Sequence, residues 1–368
     1  MRNSLIIIAA LLPIIMSGCQ CAPDSKSPET IQFKAVSSMN NFSEAISSVE
    51  LIPIKSGQGP LLGSRIELIH LSGDYILCDM DNSIISRYDS SGSFLNTIIS
   101  RKGDSENAIS LADATVQAVN DSIVVITGDG NILYFNPEGL HLKSSTIEYP
   151  GLQSTLSCGG VLTYYGYTTA PGHRLSFRKD KEVKDFLPSQ HKKLPLLSTI
   201  PLMSNQKDRT FLVDSFSDTL YVFDGKDLMP YLTFDFNDYA ISNDYYNTVN
   251  PEEGAQILLN SSFAYLLRYM ESEANRLVEI VVQERPKAFL VYGIDSGGNW
   301  TWFGEGRNKG DNFFEDSPRI LEGKTLIALI PQDRAGNAQV FFRPFIDKTK
   351  AIFEADSLNC LIAKITLK

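Results

Sequence analysis

The chain has 368 residues, of which 43% are hydrophobic, so it is long and apolar enough to bury a large core. Its formal net charge of −10 argues against a nucleic-acid-binding protein, because phosphate contacts require a basic face. Beyond the N-terminal segment no run approaches about eighteen consecutive apolar residues, so no further membrane span is predicted.

The N-terminus is typical of a bacterial lipoprotein signal. Arg2 precedes an apolar run from Leu5 to Met16, which ends in Met16-Ser17-Gly18-Cys19, a lipobox with Met16 in place of the commoner leucine. The pattern predicts a lipoprotein signal peptide over residues 1–18 and acylation of Cys19, which anchors the protein to a membrane. An ordinary signal peptide or a short membrane anchor is the alternative.

The segment after Cys19 is polar and precedes the first strand. Residues 19–41 are rich in Ser, Pro, Lys, Asn and Asp, which predicts a flexible tether between the lipid and the domain. Residues 49–54 then alternate as a strand does, and Pro53 suits an edge position.

A strand–turn–strand unit organises the rest of the chain. It spans Tyr75 to Leu95 and recurs at Ser122–Leu142 and Thr210–Leu228. The aromatic residues that close its second strand, with a degenerate copy included, are spaced 47, 42 and 46 residues apart: Tyr88, Phe135, Phe177 and Phe223. A period of about 40–50 residues holding about four strands is typical of a propeller blade. A sandwich with similar hairpins is the alternative, but a sandwich does not need regular spacing.

In chain order, the pattern predicts six blades and two insertions. The first blade begins at Arg65, and the next three are blade two (111–149), blade three (152–186) and blade four (199–236). An insertion with a short helix (237–260) precedes blade five (263–295) and a sixth unit around 324–330. A second insertion (331–356), helical around 350–355, precedes the last strand (359–367). The final unit is one strand short, and the strand at 49–54 is one too many. We therefore predict an all-β, six-bladed β-propeller over residues 42–368, with short helical insertions and a ring closed by the N-terminal strand.

Several stretches together resemble a known family. They are the lipobox at Cys19, VELIPI followed by LLGSRIELIHLSGDYILCD, the YDSSGSF turn, Gly103-Asp104-Ser105-Glu106, and the terminal LNCLIAKITLK. The chain resembles the six-bladed β-propeller lipoproteins of Bacteroidetes, which are distantly similar to NHL-repeat propellers. Family members often carry Gly-x-Gly-Pro-Gly-Glu-Tyr after the first blade; Gly103 and Glu106 match it, whereas the Pro and Tyr are absent. The resemblance implies an outer-membrane lipoprotein and no particular activity.

The residues after Cys19 bear on the side of the membrane. Gln-Cys-Ala-Pro-Asp lacks the run of acidic residues associated with surface export in Bacteroidetes. This favours the periplasmic face, with the cell surface as the alternative.

The sequence contains no motif for a metal, a cofactor or a catalytic residue. The four histidines are scattered, which does not support a zinc site, and there is no Gly-x-Ser-x-Gly or phosphate-binding loop. Asp79-Met80-Asp81-Asn82-Ser83 resembles the start of a calcium loop, but Ile84 stands where the loop needs Gly and no Glu occupies the twelfth position. The remaining cysteines are far apart, and buried free thiols are favoured over disulfides; they are Cys21, Cys78, Cys158 and Cys360.

Aromatic residues in or beside predicted loops are the candidates for ligand binding. They are Tyr239, Tyr245 and Tyr246 in the first insertion, and Trp300 and Trp302 near the end of blade five. Such side chains stack on sugars or anchor peptides, although packing between blades is the alternative for each.

We therefore expect a monomeric binding or scaffold module whose partner is a glycan, a peptide or another envelope protein. The alternative is a propeller enzyme, a lyase or hydrolase, with its active site at the mouth of the channel. The predicted innermost strands offer few catalytic side chains beyond Arg65, Glu67 and His70, which favours binding over catalysis.

Overall fold

A computed structural model describes most of the chain after residue 27. The described residues are 28–34, 39–100, 109–166, 172–188, 202–206, 209–214, 217–248, 250–284, 287–304, 318–346 and 353–368. The predicted signal peptide, Cys19, Cys21 and Gly103–Glu106 lie outside these residues.

The strands form six sheets arranged as the blades of a ring, which confirms the predicted six-bladed propeller. Three strands lie near the N-terminus: β1 (Glu29–Gln32), β2 (Asn40–Asn41) and β3 (Ile46–Lys55). Blades 1 to 3 are antiparallel meanders: β4 (Ile66–Leu71), β5 (Asp74–Asp79), β6 (Ile84–Tyr88) and β7 (Phe94–Ile99); β8 (Thr115–Val119), β9 (Ser122–Ile126), β10 (Asn131–Phe135) and β11 (His141–Thr146); β12 (Gln153–Ser157), β13 (Gly160–Tyr164), β14 (His173–Lys179) and β15 (Glu182–Pro188).

Blades 4 to 6 continue the pattern. They comprise β16 (Leu202–Gln206), β17 (Arg209–Val213), β18 (Thr219–Phe223) and β19 (Leu228–Asp235); β20 (Phe263–Glu271), β21 (Arg276–Glu284), β22 (Lys287–Asp295) and β23 (Trp300–Gly304); β24 (Arg319–Glu322), β25 (Thr325–Pro331) and β26 (Leu358–Leu367), which β3 completes. Several of these strands (β19 to β22 and β26) are 8 to 10 residues long. The first strands of neighbouring blades contact one another and form the inner wall of the ring.

The repeated aromatic residues and turns hold the first four blades together. Tyr88, Phe135, Phe177 and Phe223 all lie on the third strand of their blade and are buried. The Asp or Asn that follows three of these aromatic residues accepts backbone N–H bonds across the next turn. Oδ1 of Asp89, for example, accepts from the backbone N of Ser91 at 2.8 Å. Buried rings and capped turns explain why this short pattern recurs at blade spacing.

The N-terminal strand closes the ring as predicted. β3 pairs antiparallel with β26, and Ile54 stands opposite Cys360 in the register. Both side chains are fully buried between blades 6 and 1. Pairing the two ends of the chain in one blade removes the open edge that an unclosed ring would leave.

The pairing of β3 with β26 can be tested by introducing one cysteine opposite Cys360. Because antiparallel partners are close enough for a disulfide, Ile54→Cys is expected to form one with Cys360 under mild oxidation. Non-reducing peptide mapping by mass spectrometry would detect the cross-link, and Leu61→Cys, in the exposed loop after β3, is the control. If Ile54→Cys stays reduced or pairs with another thiol, the strand pairing is wrong.

Part of the segment predicted as a tether, residues 19–41, forms strands that add to the blades. β1 adds to blade 4 as a fifth strand parallel to β19, and β2 adds to blade 5 parallel to β23. Ile31 and Phe33 are buried between these blades, so apolar burial and backbone pairing fix a segment whose composition suggests flexibility. The part of the predicted tether before residue 28 lies outside the described residues.

Both insertions lie on one side of the ring, which we call the insertion face. The first connects blades 4 and 5 and contains α1 (Asn243–Asn247) and α2 (Pro251–Asn260); the second connects β25 and β26 and contains α3 (Gln332–Phe342). In four-stranded meanders, the link between blades and the turn between the second and third strands fall on the same side. Helix α3 begins eighteen residues before the predicted helix around 350–355, of which residues 350–352 lie outside the described residues.

Buried side chains anchor α3 against blade 6. Ala335, Ala338 and Phe342 are buried against the core of that blade. Among the described helices, none is long and apolar enough to cross a membrane.

Candidate functional site

The first insertion is a folded element with its own caps. The Ser242 side chain accepts a bond from the backbone N of Asp244 at the start of α1, and Asn250 caps α2, where Pro251 occupies the first turn. Ser, Asn and Pro are favoured at these positions because they satisfy or avoid the free N–H groups of a helix start. The insertion therefore has a defined shape on the insertion face.

A cavity of about 480 Å³ lies where this insertion meets blades 4 and 5. We call it the insertion cavity. Its walls come from four parts of the chain: β1, the turn of blade 4 before β18, the end of β19 with the insertion, and the start of β20. The lining residues used below are Thr30, Asp218, Phe234, Asp235, Phe236, Ala240, Ile241, Asn243, Tyr246 and Ala264.

Of the three tyrosines predicted to bind ligand, Tyr246 lines the insertion cavity and is half-buried. Tyr245 is only 7% exposed and packs with Leu258 and Phe263 in the core of the insertion. Tyr239 is half-buried, donates its hydroxyl to Glu284 and packs edge-on against the ring of Phe33. The structure thus gives all three tyrosines packing contacts, and of the three only Tyr246, at the edge of the insertion core, also lines the cavity.

The two tryptophans lie where the N-terminal segment meets blade 5. Trp302 is buried, with its ring centroid 5.1 Å from that of Phe33. Nε1 of Trp300 donates to Oε1 of Glu29 at 3.3 Å, and the guanidinium of Arg276 lies over its ring. These contacts hold the N-terminal segment in place, so the five predicted residues do not form one surface.

The electrostatic surroundings of Tyr246 are negative. Burial raises the pKa of its phenol, and Asp218, Tyr245 and Asp214 raise it further. Asp214 is buried, accepts a bond from the Tyr164 hydroxyl at 2.9 Å and is paired with Arg174. The phenol of Tyr246 is therefore neutral at physiological pH and serves as a hydrogen-bonding group and an aromatic face.

The charge around the cavity is also one-sided. None of the described residues that line it is a lysine or an arginine. Residues 237–260 contain four acidic residues and no basic one; the acidic residues are Asp238, Asp244, Glu252 and Glu253. Such a site suits a neutral or cationic ligand better than an anionic one.

Sequence reasoning missed Asp218 and Thr30 as members of this site. Asp218 belongs to a short turn with no motif, and Thr30 belongs to the segment predicted as a tether. The backbone N of Phe234 donates to the carbonyl oxygen of Asp218 at 2.8 Å, which brings that turn beside the end of β19. The only available signal was the break in the repeat at the insertion.

The inner wall of the ring carries ionisable groups that the enzyme alternative would need. His70 on β4 lies 2.7 Å from Oε1 of Glu322 on β24, and its ring stacks on Tyr75. Arg268 on β20 and Arg319 on β24 flank the buried carboxylate of Glu279; neither arginine was predicted as a wall residue. These side chains form ion pairs between neighbouring strands or blades, a pattern that stabilises the fold and does not indicate catalysis.

Glu67 differs from these groups because no hydrogen bond or ion pair is described for it. The Glu67 side chain on β4 can be reached by solvent, but the protein atoms of the inner wall surround it and partly desolvate its carboxylate. This desolvation raises the pKa of Glu67 from 4.5 to about 7, and the nearby Arg65 opposes the shift.

The raised pKa of Glu67 predicts a pH-dependent stability. The folded state holds the Glu67 proton more tightly than the unfolded state does. The resulting stabilisation of the folded state is fully present below about pH 4.5 and is lost as the pH rises through about 7. We therefore measure the Tm of the Glu67→Gln variant and of wild type at pH 4.5 and at pH 8. The Tm of the variant minus that of wild type is expected to be more positive at pH 8. Glu182→Gln, at an exposed turn of blade 3, is the control. A Tm difference that does not change with pH would contradict the assignment.

The calcium-like sequence at Asp79–Ser83 serves the link into blade 1. Oδ2 of Asp79 accepts from the backbone N of Gly63 at 2.7 Å, and Oδ2 of Asp81 accepts from the backbone N of Ser64 and Arg65. These bonds lower the pKa of Asp81, with the bond from Arg65 as the largest cause. Within the described part of the chain, no group of three or more His, Cys, Asp or Glu residues is placed to hold a metal ion.

Two of the described cysteines, Cys78 and Cys360, are free thiols. Cys78 and Cys360 are buried, as predicted, and burial raises the pKa of both thiols. Cys158 is half-buried at the turn between β12 and β13. Cys78 and Cys360 are therefore protonated packing residues.

Comparison with known proteins identifies the family and the fold. The family described as "Domain of unknown function (DUF4934)" matches residues 28–338. The chain belongs to the DUF4934 family. No curated protein matches the sequence.

Two solved structures from Bacteroides share the fold of this DUF4934 protein. A protein of Bacteroides fragilis NCTC 9343 described as exported is 13% identical, with a TM-score of 0.69, over 93% of this chain and 100% of the other. A member of the DUF4221 family from Bacteroides vulgatus is 11% identical, with a TM-score of 0.52, over 88% of this chain and 98% of the other. At these identities the likeness concerns the fold alone.

Proposed function

We propose that this DUF4934 protein is a monomeric envelope lipoprotein that binds a glycan, a peptide or another envelope protein through the insertion cavity. The observation that carries the proposal is the cavity itself, which a capped insertion builds on one face of a regular ring and which Tyr246 lines. Loops on a rigid scaffold are where recognition usually resides. The described ionisable groups of the inner wall are mostly paired, which favours binding over the enzyme alternative.

The location is part of the proposal. The lipobox at Cys19 and the exported description of the Bacteroides fragilis protein support an envelope site, and we place the protein on the periplasmic face of the outer membrane. Cys19→Ala is expected to abolish labelling by radioactive palmitate and to release the protein from the membrane fraction. Protease treatment of intact cells tests the side: degradation of the propeller there would place it on the cell surface.

The binding proposal is tested on arrays that carry glycans and peptides. The purified protein is expected to bind a subset of the arrayed ligands, and Tyr246→Ala is expected to abolish that signal. Tyr149→Ala is the matched control, because Tyr149 is 54% exposed on another blade. Binding that survives Tyr246→Ala, or an array with no bound ligand, would overturn the proposal.

A further inference from the structure

We propose that the insertion cavity takes a basic side chain, lysine or arginine, from an extended peptide. This inference rests on the proposed function and names the ligand class for the same site. Three features of the cavity carry it: the apolar part of its walls, two lining carboxylates, and the aromatic ring of Tyr246.

The walls suit the aliphatic part of a long basic side chain. The apolar part of the wall comes from the half-buried Ile241 and the exposed Ala240, with Phe234, Phe236 and Ala264 buried beneath it. Lysine and arginine bury their methylene groups against apolar surface while the charged end reaches a polar partner.

The carboxylates of Asp218 and Asp235 are the partners for the charged end. Both carboxylates line the cavity, and the backbone bond from Phe234, the residue before Asp235, to Asp218 brings their two segments side by side. Oδ1 of Asp218 accepts from the Thr219 hydroxyl at 2.9 Å, and Oδ1 of Asp235 accepts from the backbone N of Asn237 at 3.1 Å. The described hydrogen bonds leave Oδ2 of each carboxylate available to a bound ammonium or guanidinium group.

Tyr246 adds an aromatic face beside these carboxylates. A cation over an aromatic ring is attracted to it, typically by about 0.5–2 kcal/mol. The insertion that forms part of the wall carries four acidic residues and no basic one, and a negative field of this kind favours a cationic ligand over an anionic one. A neutral glycan would gain nothing from this field.

The proposal is tested by calorimetric titration of the full protein with four blocked pentapeptides at low ionic strength. The first two are acetyl-Ala-Lys-Ala-Lys-Ala-amide and its arginine counterpart; in the other two, acetyl-lysine or norleucine replaces lysine. We expect both charged peptides to bind at least about tenfold more tightly than the uncharged ones, which corresponds to about 1.4 kcal/mol. Their affinity is also expected to fall as salt is added.

Variants locate the site. The double variant Asp218→Asn, Asp235→Asn is expected to lose about tenfold or more in affinity for the charged peptides, on the order of one charge pair of 1.4 kcal/mol. Asp121→Asn, at an exposed turn on the opposite face, is the control. An unchanged Tm shows that the double variant is folded, which we expect because both carboxylates are exposed.

Equal binding of the acetyl-lysine peptide, no binding of any pentapeptide, or an unaffected double variant would overturn the inference. A glycan that binds on the array through Tyr246 would overturn it too, while the proposed function would stand. If no arrayed ligand and no pentapeptide binds in a way that depends on Tyr246, both the inference and the proposed function fail.

Discussion

Replacing Glu279 with glutamine is expected to lower the free energy of unfolding by about 3–5 kcal/mol. Glu279 is fully buried on β21; its Oε1 lies 3.1 Å from Nε of Arg319 in blade 6, and its Oε2 lies 3.5 Å from Nη1 of Arg268 in blade 5. Glutamine keeps the volume but removes the negative charge between two guanidinium groups. The cost arises because buried charges that lose their partner cannot recover their hydration.

Chemical denaturation at neutral pH measures this change. Glu182→Gln is the control, since its side chain is exposed at a turn of blade 3 and its effect is expected to stay within about 0.5 kcal/mol. Equal effects of the two substitutions would show that the carboxylate does not hold blades 5 and 6 together.

Tyr245→Ala is expected to destabilise the protein by about 3 kcal/mol, whereas Tyr246→Ala should cost about 1 kcal/mol or less. The neighbouring tyrosines differ because Tyr245 is buried with Leu258 and Phe263, while Tyr246 is half-buried at the cavity. Removing the Tyr245 ring leaves a void in the core of the insertion, whereas Tyr246 packs at the edge of that core, so its removal uncovers only part of it.

The pair serves as its own matched control. Urea unfolding gives the free-energy change, and hydrogen exchange over residues 237–260 shows whether the loss is local to the insertion. A Tyr246→Ala variant as unstable as Tyr245→Ala would mean that Tyr246 is a packing residue and that the cavity assignment fails.

Much of the fold was predictable because the signals are local and repeated. An aromatic residue on the third strand of blades 1 to 4, followed in three of them by Asp or Asn, recurs at blade spacing, and each makes its contacts within or next to its own blade. Ring closure was predictable by counting strands, because a final blade with three strands needs a fourth.

Features that depend on distant partners were not predictable. β1 has a polar composition, and its strand forms because Thr30 and Ile31 pair with Thr233 and Phe234, some two hundred residues away. The insertion cavity likewise brings together Thr30, Asp218 and Tyr246, which are far apart in the sequence and become neighbours only in the folded protein. Tyrosines in a loop are alike in sequence, and only packing separates Tyr245 from Tyr246.

The central claim is that ligand recognition takes place at the insertion cavity, and site-specific photo-cross-linking in living cells tests it most directly. A benzoylphenylalanine placed at Asn243, an exposed residue of the cavity wall, is compared with the same group at Glu182, an exposed residue on the opposite face. The account predicts a defined adduct from position 243 that disappears in the Tyr246→Ala background, and none from position 182. An adduct from position 182 alone, or one from position 243 that Tyr246→Ala leaves unchanged, would contradict it.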